Sequence, residues 1–404
     1  MVKNNLSDYF EQFLVKESLF KNKKVLQSTY IPDDIKHRDE QINTIAEILA
    51  PSLRKDKPSN LFIYGKTGTG KTLSIKYTAD QIDQIAKQRE IPINIFYLNC
   101  KLKKIADTEY RLIAELARFF GKAVPSTGLP TDEVYNVFFK ALDQEERIVL
   151  LVLDEIDQLV RKAGDEIIYN LTRINSELKR SQVSIIGISN DLMFANNLDP
   201  RVKSSLSEEE IVFPPYNAVQ IQDILHRRAQ EAIKEDAVED GVISKCAAYA
   251  AREHGDARRA LELLRVAGEL AERKGSQAIK MEHIDDAEEK IERDRILDIV
   301  KTQPKQFQAT LYPILVTSEK KKNKTIYTGE IYDIYKDLCR DIGLRPLTQR
   351  RISDIVAELD MLGIINAKVI SKGRFGRTRE IALAIPNQIE PKIKKLLEED
   401  LGIA

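Results

Sequence analysis

Asn60-Leu-Phe-Ile-Tyr64, followed at once by Gly65-Lys-Thr-Gly68-Thr69-Gly70-Lys71-Thr72, sets the reading of the whole chain. A short apolar strand runs into a loop with glycine at its first, fourth and sixth positions. Glycine there lets the backbone fold tightly and turn its N–H groups onto phosphate oxygens. Lys71 is placed to reach the β- and γ-phosphates, and the Thr72 hydroxyl to hold Mg²⁺. Beyond the loop, Ile75, Ala79, Ile82 and Ile85 repeat at helical spacing. The loop therefore opens a helix whose positive end faces the phosphates. A glycine-rich turn without a ligand is the bland alternative, and the strand before it and helix after it weaken that alternative. The stretch reads as a nucleoside triphosphate site.

The same strand pattern recurs on either side. Ile93–Leu98, Ile148–Leu153 and Ser184–Ile188 are short runs rich in β-branched residues, and with 60–64 and Ile211–Phe213 they predict a mostly parallel sheet buried on both faces. Residues 1–27 are polar and Lys-rich, an arm or short helix ahead of an α/β domain over 28–215. Pro214-Pro215 then punctuates the chain, and 216–290 carries only helical periodicity. From 291 to 404 the pattern changes again. Helices at 304–317, 329–341 and 348–362 precede two strands, Ile365–Ile370 and Arg379–Ile385, as in a winged helix-turn-helix. Lys320–Lys324 reads as a solvated loop and Glu398–Asp400 as a solvated tail.

Composition narrows the classes. The 404 residues are too many for one ordinary core. No apolar run approaches the roughly 20 residues needed to span a bilayer, no signal-peptide pattern opens the chain, and no membrane partner is expected. Cys100, Cys246 and Cys339 lie far apart, as do the four histidines, so neither type offers metal-ligand spacing and the expected location is a reducing cytoplasm. Net charge is zero over the chain, yet residues 301–404 hold 19 Lys and Arg against 13 Asp and Glu. That local excess suits nucleic acid.

The run at 148–153 ends in Asp154-Glu155, at the carboxyl end of a strand, where parallel sheets place ligands. Asp154 is suited to orient Mg²⁺ and Glu155 to polarise the attacking water; downstream of a phosphate loop this outweighs a merely acidic helix start. Asn190 ends the next strand, where its amide lies near the γ-phosphate or simply caps a helix. Arg201, in Asp199-Pro-Arg201, is either a surface cation in a turn or an arginine presented to a neighbouring subunit to stabilise transition-state charge; sequence leaves the two nearly even. Arg258 begins a helix and either leans across onto the phosphates or forms a surface salt bridge.

In that order, the phosphate loop, Asp154-Glu155, Asn190, Arg201 and Arg258 resemble the AAA+ ATPases. Asn99-Cys, Asp107–Arg111, Val124–Leu129, Pro214-Pro-Tyr216, Gly255–Ala260 and Gly373-Arg-Phe-Gly-Arg-Thr378 resemble, more narrowly, the archaeal replication initiators, homologues of the origin recognition complex and of the cell-division-control helicase loader. The likeness runs over about 28–385. It implies an α/β P-loop AAA+ domain with an all-α lid, then a winged-helix domain. The segment of about 101–131 would be a helical insertion that touches origin DNA. Gly68 to Thr72, Tyr216 and Arg228 would contact ATP or ADP, and Tyr30–Arg38, with Ile31, His37 and Arg38, would line the adenine pocket. Lys36 stands where the family pattern has proline.

The third helix of the winged domain starts Leu347-Thr348-Gln349-Arg350-Arg351. Its apolar positions Ile352, Ile355, Val356, Leu359 and Leu362 share one face, which leaves Gln349 and Arg350 at the end that helix-turn-helix proteins point into the major groove. The wing sets Lys372, Arg374, Arg377 and Arg379 around Phe375, cations suited to phosphates or a narrow minor groove. The expected function is an ATP-dependent initiator on double-stranded origin DNA. It would act in the nucleoid, with the replicative minichromosome maintenance helicase and other initiator subunits as partners, and ATP would be a slowly hydrolysed switch. A nucleotide-gated transcription regulator is the alternative; a clamp-loader subunit is disfavoured by the basic wing.

Overall fold

The computed structural model describes residues 11, 17–32, 34–101, 108–125, 127–206, 208–321, 326–371, 377–386 and 388–403. The chain divides into two compact units, residues 1–284 and 285–404.

In the first unit five strands, β1 (Leu61–Tyr64), β2 (Ile93–Asn99), β3 (Ile148–Asp154), β4 (Gln182–Ser189) and β5 (Glu209–Val212), form one sheet in the order β2-β3-β4-β1-β5. Every pairing is parallel, and Asn99, Asp154, Ile188, Ile63 and Ile211 share one row across it. That row lies at the carboxyl ends of the strands, so Gly65, Glu155 and Asn190 emerge along the same rim.

Side chains alternate between the faces. On one face, α1 (Asp39–Leu49) and α2 (Lys71–Gln88) pack Ile45, Leu49, Ile75 and Ile82 against Leu61, Ile63, Leu150, Val152, Ile186 and Ile188. On the other, α3 (Glu109–Phe119), α4 (Thr131–Leu142), α5 (Ile156–Ala163), α6 (Glu166–Arg173) and α7 (Pro200–Leu206) cover Phe62, Leu98, Val149, Leu151 and Leu153. Each of Ile148 to Leu153 is buried, a gain of about 1.5–3 kcal/mol per side chain. That is why these runs carry no alternation.

The lid follows as α8 (Ala218–Ala232), α9 (Val242–Arg252) and α10 (Ala257–Lys274). Asn217 and Gln220 close a capping box at the start of α8, directly after the Pro-Pro break. Residues 17–27 are not a separate arm. Leu19, Phe20, Val25 and Leu26 are buried, Phe20 forms a bridge with Ile233, and the Lys21 amide donates to Ala232 (2.8 Å). Two apolar pairs set among lysines were enough to anchor a segment that its polar composition disguised.

The second unit is entered within α11 (Met281–Thr302). It holds α12 (Lys305–Lys321), β6 (Ile326–Tyr327), α13 (Thr328–Asp341), α14 (Gln349–Met361), β7 (Ile365–Ser371), β8 (Arg377–Leu383) and α15 (Glu390–Leu401). A three-stranded sheet, β6-β8-β7, closes a core of Ile314, Ile331, Tyr335, Ile352, Ile355, Leu359 and Ile381. The tail at 398–400 is part of α15, not a solvated end. Ile393, Leu397 and Leu401 are buried, and Glu398 and Asp400 accept from Tyr312 and Gln308. Lys320 and Lys321 belong to α12, where Lys321 pairs with Glu330 (2.7 Å); residues 322–324 lie outside the described residues.

Candidate functional site

The phosphate loop sits between β1 and α2. Gly68 and Gly70 have φ of 71° and 92°, a conformation that L side chains rarely adopt. Both also lack room: a Cβ on Gly68 would lie 1.7 Å from Asp256 Oδ1, and one on Gly70 would lie 2.7 Å from the Tyr216 hydroxyl. The loop is therefore pressed directly onto the lid. The Ala257 amide donates to the Gly68 carbonyl (3.3 Å), and Asp256 caps α10 by accepting from the Arg258 amide (2.8 Å).

Lys71 is 4 % exposed, and its Nζ donates to the Gly65 and Lys66 carbonyls (2.7 Å each). Burial, then the nearby Arg258 guanidinium, pushes its pKa down to about 8. Thr69 is buried and its hydroxyl closes the loop onto the Lys66 carbonyl (2.9 Å). Thr72 Oγ1 donates to Asp154 Oδ2 (2.9 Å), while the Glu155 amide donates to Asp154 Oδ1 (2.9 Å). The hydroxyl of Tyr97, on β2, also donates to Asp154 Oδ2. Glu155 adopts the left-handed conformation (φ 54°, ψ 44°), which is uncommon away from glycine and costs about 1–3 kcal/mol. Its carboxylate is 3.7 Å from Lys101 Nζ.

A cavity of about 270 Å³ lies over the loop. Gly68, Gly70 and Thr72 form its floor, Tyr30, Ile31 and Ile35 one wall, and Tyr216, Arg228 and Arg258 the lid side. Arg228 is 7 % exposed, held by the Val25 carbonyl (3.2 Å) and standing 4.6 Å over the Tyr30 ring. Arg258 lines the cavity, so it faces the phosphate loop and not a surface acid. Ile31 is 43 % exposed, an apolar surface open to a base.

His37 and Arg38 do not line this cavity. Arg38 is 2 % exposed and donates to the carbonyls of Thr69 (2.8 Å) and Pro214 (2.6 Å), with its guanidinium 3.8 Å from the Tyr216 ring centroid. It braces the loop from behind. His37 has φ 61° and its Nε2 lies 2.8 Å from Asp223 Oδ2. Lys36 does line the cavity. Asn190 follows β4 on the rim. Arg201 is apart from the cavity: its side chain is 73 % exposed and chelated by Asp199 through Nε (3.1 Å) and Nη2 (3.0 Å). Tyr97 was missed in the sequence, where it passes as one more apolar residue of a strand.

In the second unit, Thr348 caps α14 through its hydroxyl, and Gln349 and Arg350 are exposed. Arg351 reaches toward Asp354 (3.7 Å) and Glu358 (3.9 Å) on its own helix. Arg379 is not a wing-tip cation: it lies within β8 and its Nε donates to Ser353 Oγ on α14 (3.2 Å). Lys372, Arg374 and Phe375 lie outside the described residues. Arg377 opens β8 opposite Ser371. Part of the 101–131 segment, 102–107 and 126, also lies outside them; the rest includes α3.

A parallel sheet, a phosphate loop pressed against a helical lid and a winged helix define a nucleotide-binding AAA+ protein. Family models agree in order along the chain: an AAA domain at residues 54–192, a Cdc6 AAA+ ATPase-type lid domain at 222–289, and a CDC6 C-terminal winged helix domain at 298–389. The ORC1-type DNA replication protein of Pyrococcus furiosus is 52 % identical over 402 residues, 98 % of this chain and 94 % of that one. ORC1-type DNA replication protein 1 of Methanosarcina mazei is 50 % identical over 396 residues, 98 % of this chain and 94 % of that one. The Aeropyrum pernix ORC1 protein, solved in complex with DNA, superposes with a TM-score of 0.84 at 43 % identity, covering 96 % of this chain and 98 % of that one. Cdc6p of Pyrobaculum aerophilum shares the fold (TM-score 0.59, 21 % identity, 95 % of this chain and 100 % of that one). The chain belongs to the ORC1/Cdc6 family of DNA replication initiators. Among the described residues no helix is long and apolar enough to cross a membrane.

Proposed function

We propose that this chain recognises double-stranded origin DNA and helps recruit or load the replicative minichromosome maintenance helicase, with ATP as a slowly hydrolysed conformational switch. The observation that carries the proposal is the cavity built jointly by the phosphate loop and the lid: Arg228 and Arg258 line it together with Gly68, Gly70 and Thr72, and Lys71 lies buried in the loop within electrostatic reach of Arg258. A triphosphate bridging loop and lid holds the two together; loss of the γ-phosphate loosens them. Thr72 lines the cavity, and its hydroxyl lies 2.9 Å from a carboxylate oxygen of Asp154 behind it, a hard donor set that fits Mg²⁺. The ion would neutralise phosphate charge, Glu155 would orient water, and Asn190 on the adjacent strand end would help hold it.

DNA reading is assigned to the winged domain, supported by the DNA-bound state of the Aeropyrum pernix relative and by exposed Gln349 and Arg350 at the start of α14. Arg350→Ala should lower discrimination between origin and random duplex by about 1–3 kcal/mol, measured by competition binding. Equal discrimination would remove Arg350 from base reading. The function as a whole is tested by chromatin immunoprecipitation: peaks confined to origins support it, and peaks scattered over promoters would favour transcription regulation instead.

Arg201 is proposed to act on a neighbouring initiator subunit, because it is exposed and absent from its own chain's cavity. Arg201→Ala should leave ATP binding by the single chain intact and cut assembly-stimulated hydrolysis by about 10-fold or more. A loss confined to the monomer's activity would place it in cis.

A further inference from the structure

We propose that Tyr97 is a positioning residue of the cation site: its phenol holds the Asp154 carboxylate in the orientation that carries the ion beside the phosphates. This rests on the assignment of Thr72 and Asp154 as the ion-holding pair.

Register puts Tyr97 there. It pairs with Val152, and Asn99 pairs with Asp154, so with a period of two all four side chains leave the sheet on the α2 face. The Tyr97 ring is covered by Lys76 of α2, whose Nζ lies 4.2 Å from the ring centroid, and Lys76 itself lines the nucleotide cavity. The ring packs with Ile93 and Ile95 against the core beneath α1 and α2. Phenylalanine would meet that packing equally well, so packing does not account for the hydroxyl.

The hydroxyl donates to Asp154 Oδ2, the oxygen that also accepts from Thr72 Oγ1. Asp154 is 5 % exposed, and its Oδ1 is occupied by the Glu155 amide. When the Thr72 hydroxyl turns its oxygen toward an ion, Tyr97 and the Glu155 amide remain to fix both carboxylate oxygens. Groups that orient a ligating carboxylate in this way typically carry about 10–100-fold in metal affinity.

The test is equilibrium binding of ATP to the full chain, in EDTA and across a Mg²⁺ titration. For Tyr97→Phe, affinity in EDTA should match the parent within about twofold. The Mg²⁺ concentration giving half of the metal-dependent gain should rise by about 10-fold. Asp154→Asn, measured in parallel, should lose the metal-dependent gain. If Asp154→Asn keeps it, the ion-site assignment fails and the role of Tyr97 with it. If Asp154→Asn loses it but Tyr97→Phe titrates like the parent, Tyr97 does not position the carboxylate. Loss of ATP affinity by Tyr97→Phe with and without metal alike would likewise overturn the proposal, since it would mark a purely structural role.

Discussion

Lys71→Ala is expected to abolish tight ATP binding. The side chain is a buried cation at the centre of the phosphate loop. Removing one partner of a desolvated charge pair costs about 2–5 kcal/mol, roughly 300-fold in Kd at the middle of that range. Equilibrium binding checks it, and parental affinity in the variant would refute the phosphate-loop assignment. A pH signature accompanies the loss. Burial beside Arg258 pushes Lys71 down to about 8, and a bound polyanion pulls that value back up. Above pH of about 8, binding then takes up a proton, and affinity falls as pH rises. Below it the proton is already in place and this dependence vanishes. The parent should therefore bind ATP more weakly at pH 9 than at pH 7.5, and the alanine variant should lack this component. The same depression means that the unfolded chain holds this proton more tightly than the folded one. Lys71 thus opposes folding of the free protein below pH of about 8, and the penalty fades as pH rises toward the ordinary lysine value.

Glu155→Gln should bind ATP as the parent does and hydrolyse it about 10²–10⁴-fold more slowly, since an amide cannot draw a proton from water as a carboxylate does. Single-turnover hydrolysis is the measurement, and a parental rate would mean that another base is at work. Glutamine keeps the shape and the left-handed backbone of residue 155, so the loss is chemical. The ion pair with Lys101, partly exposed and 3.7 Å long, contributes little to the fold.

Most of this architecture is legible from the chain because its signals are local. The apolar runs at 60–64, 93–98, 148–153, 184–188 and 211–213 appear as the five strands within one or two residues at each end. The inner strands β1, β3 and β4 are buried almost throughout, while the edge strands β2 and β5 are only partly covered and keep Leu98 and Ile211 in the core. The loop glycines mark the phosphate site because side chains rarely adopt φ of 71° and 92°, and a Cβ at either position would collide with Asp256 or Tyr216. What escaped notice depends on distant partners. Arg38 and His37 sit beside the nucleotide wall in sequence, yet Arg38 turns inward to satisfy the carbonyls of Thr69 and Pro214, bonds that only the folded loop creates. Tyr97 meets Asp154 through strand register, which no single strand encodes. Arg379 meets Ser353 because β8 packs by α14. The last helix and the 17–27 segment were missed because their few apolar side chains are diluted by charge, although those few are buried.

The contact between Gly68 and the start of α10 has a consequence for how lid motion becomes visible. The first amide of a helix has no carbonyl within that helix to bond. For Ala257 the partner is supplied by the phosphate loop, 3.3 Å away and more than 180 residues earlier in the chain. Solvent hydrogen can replace that amide proton only when loop and lid part, whereas the amides deeper in α10 are protected by the helix itself. One backbone proton therefore keeps time for the opening of the nucleotide site, independent of whether the helix behind it frays.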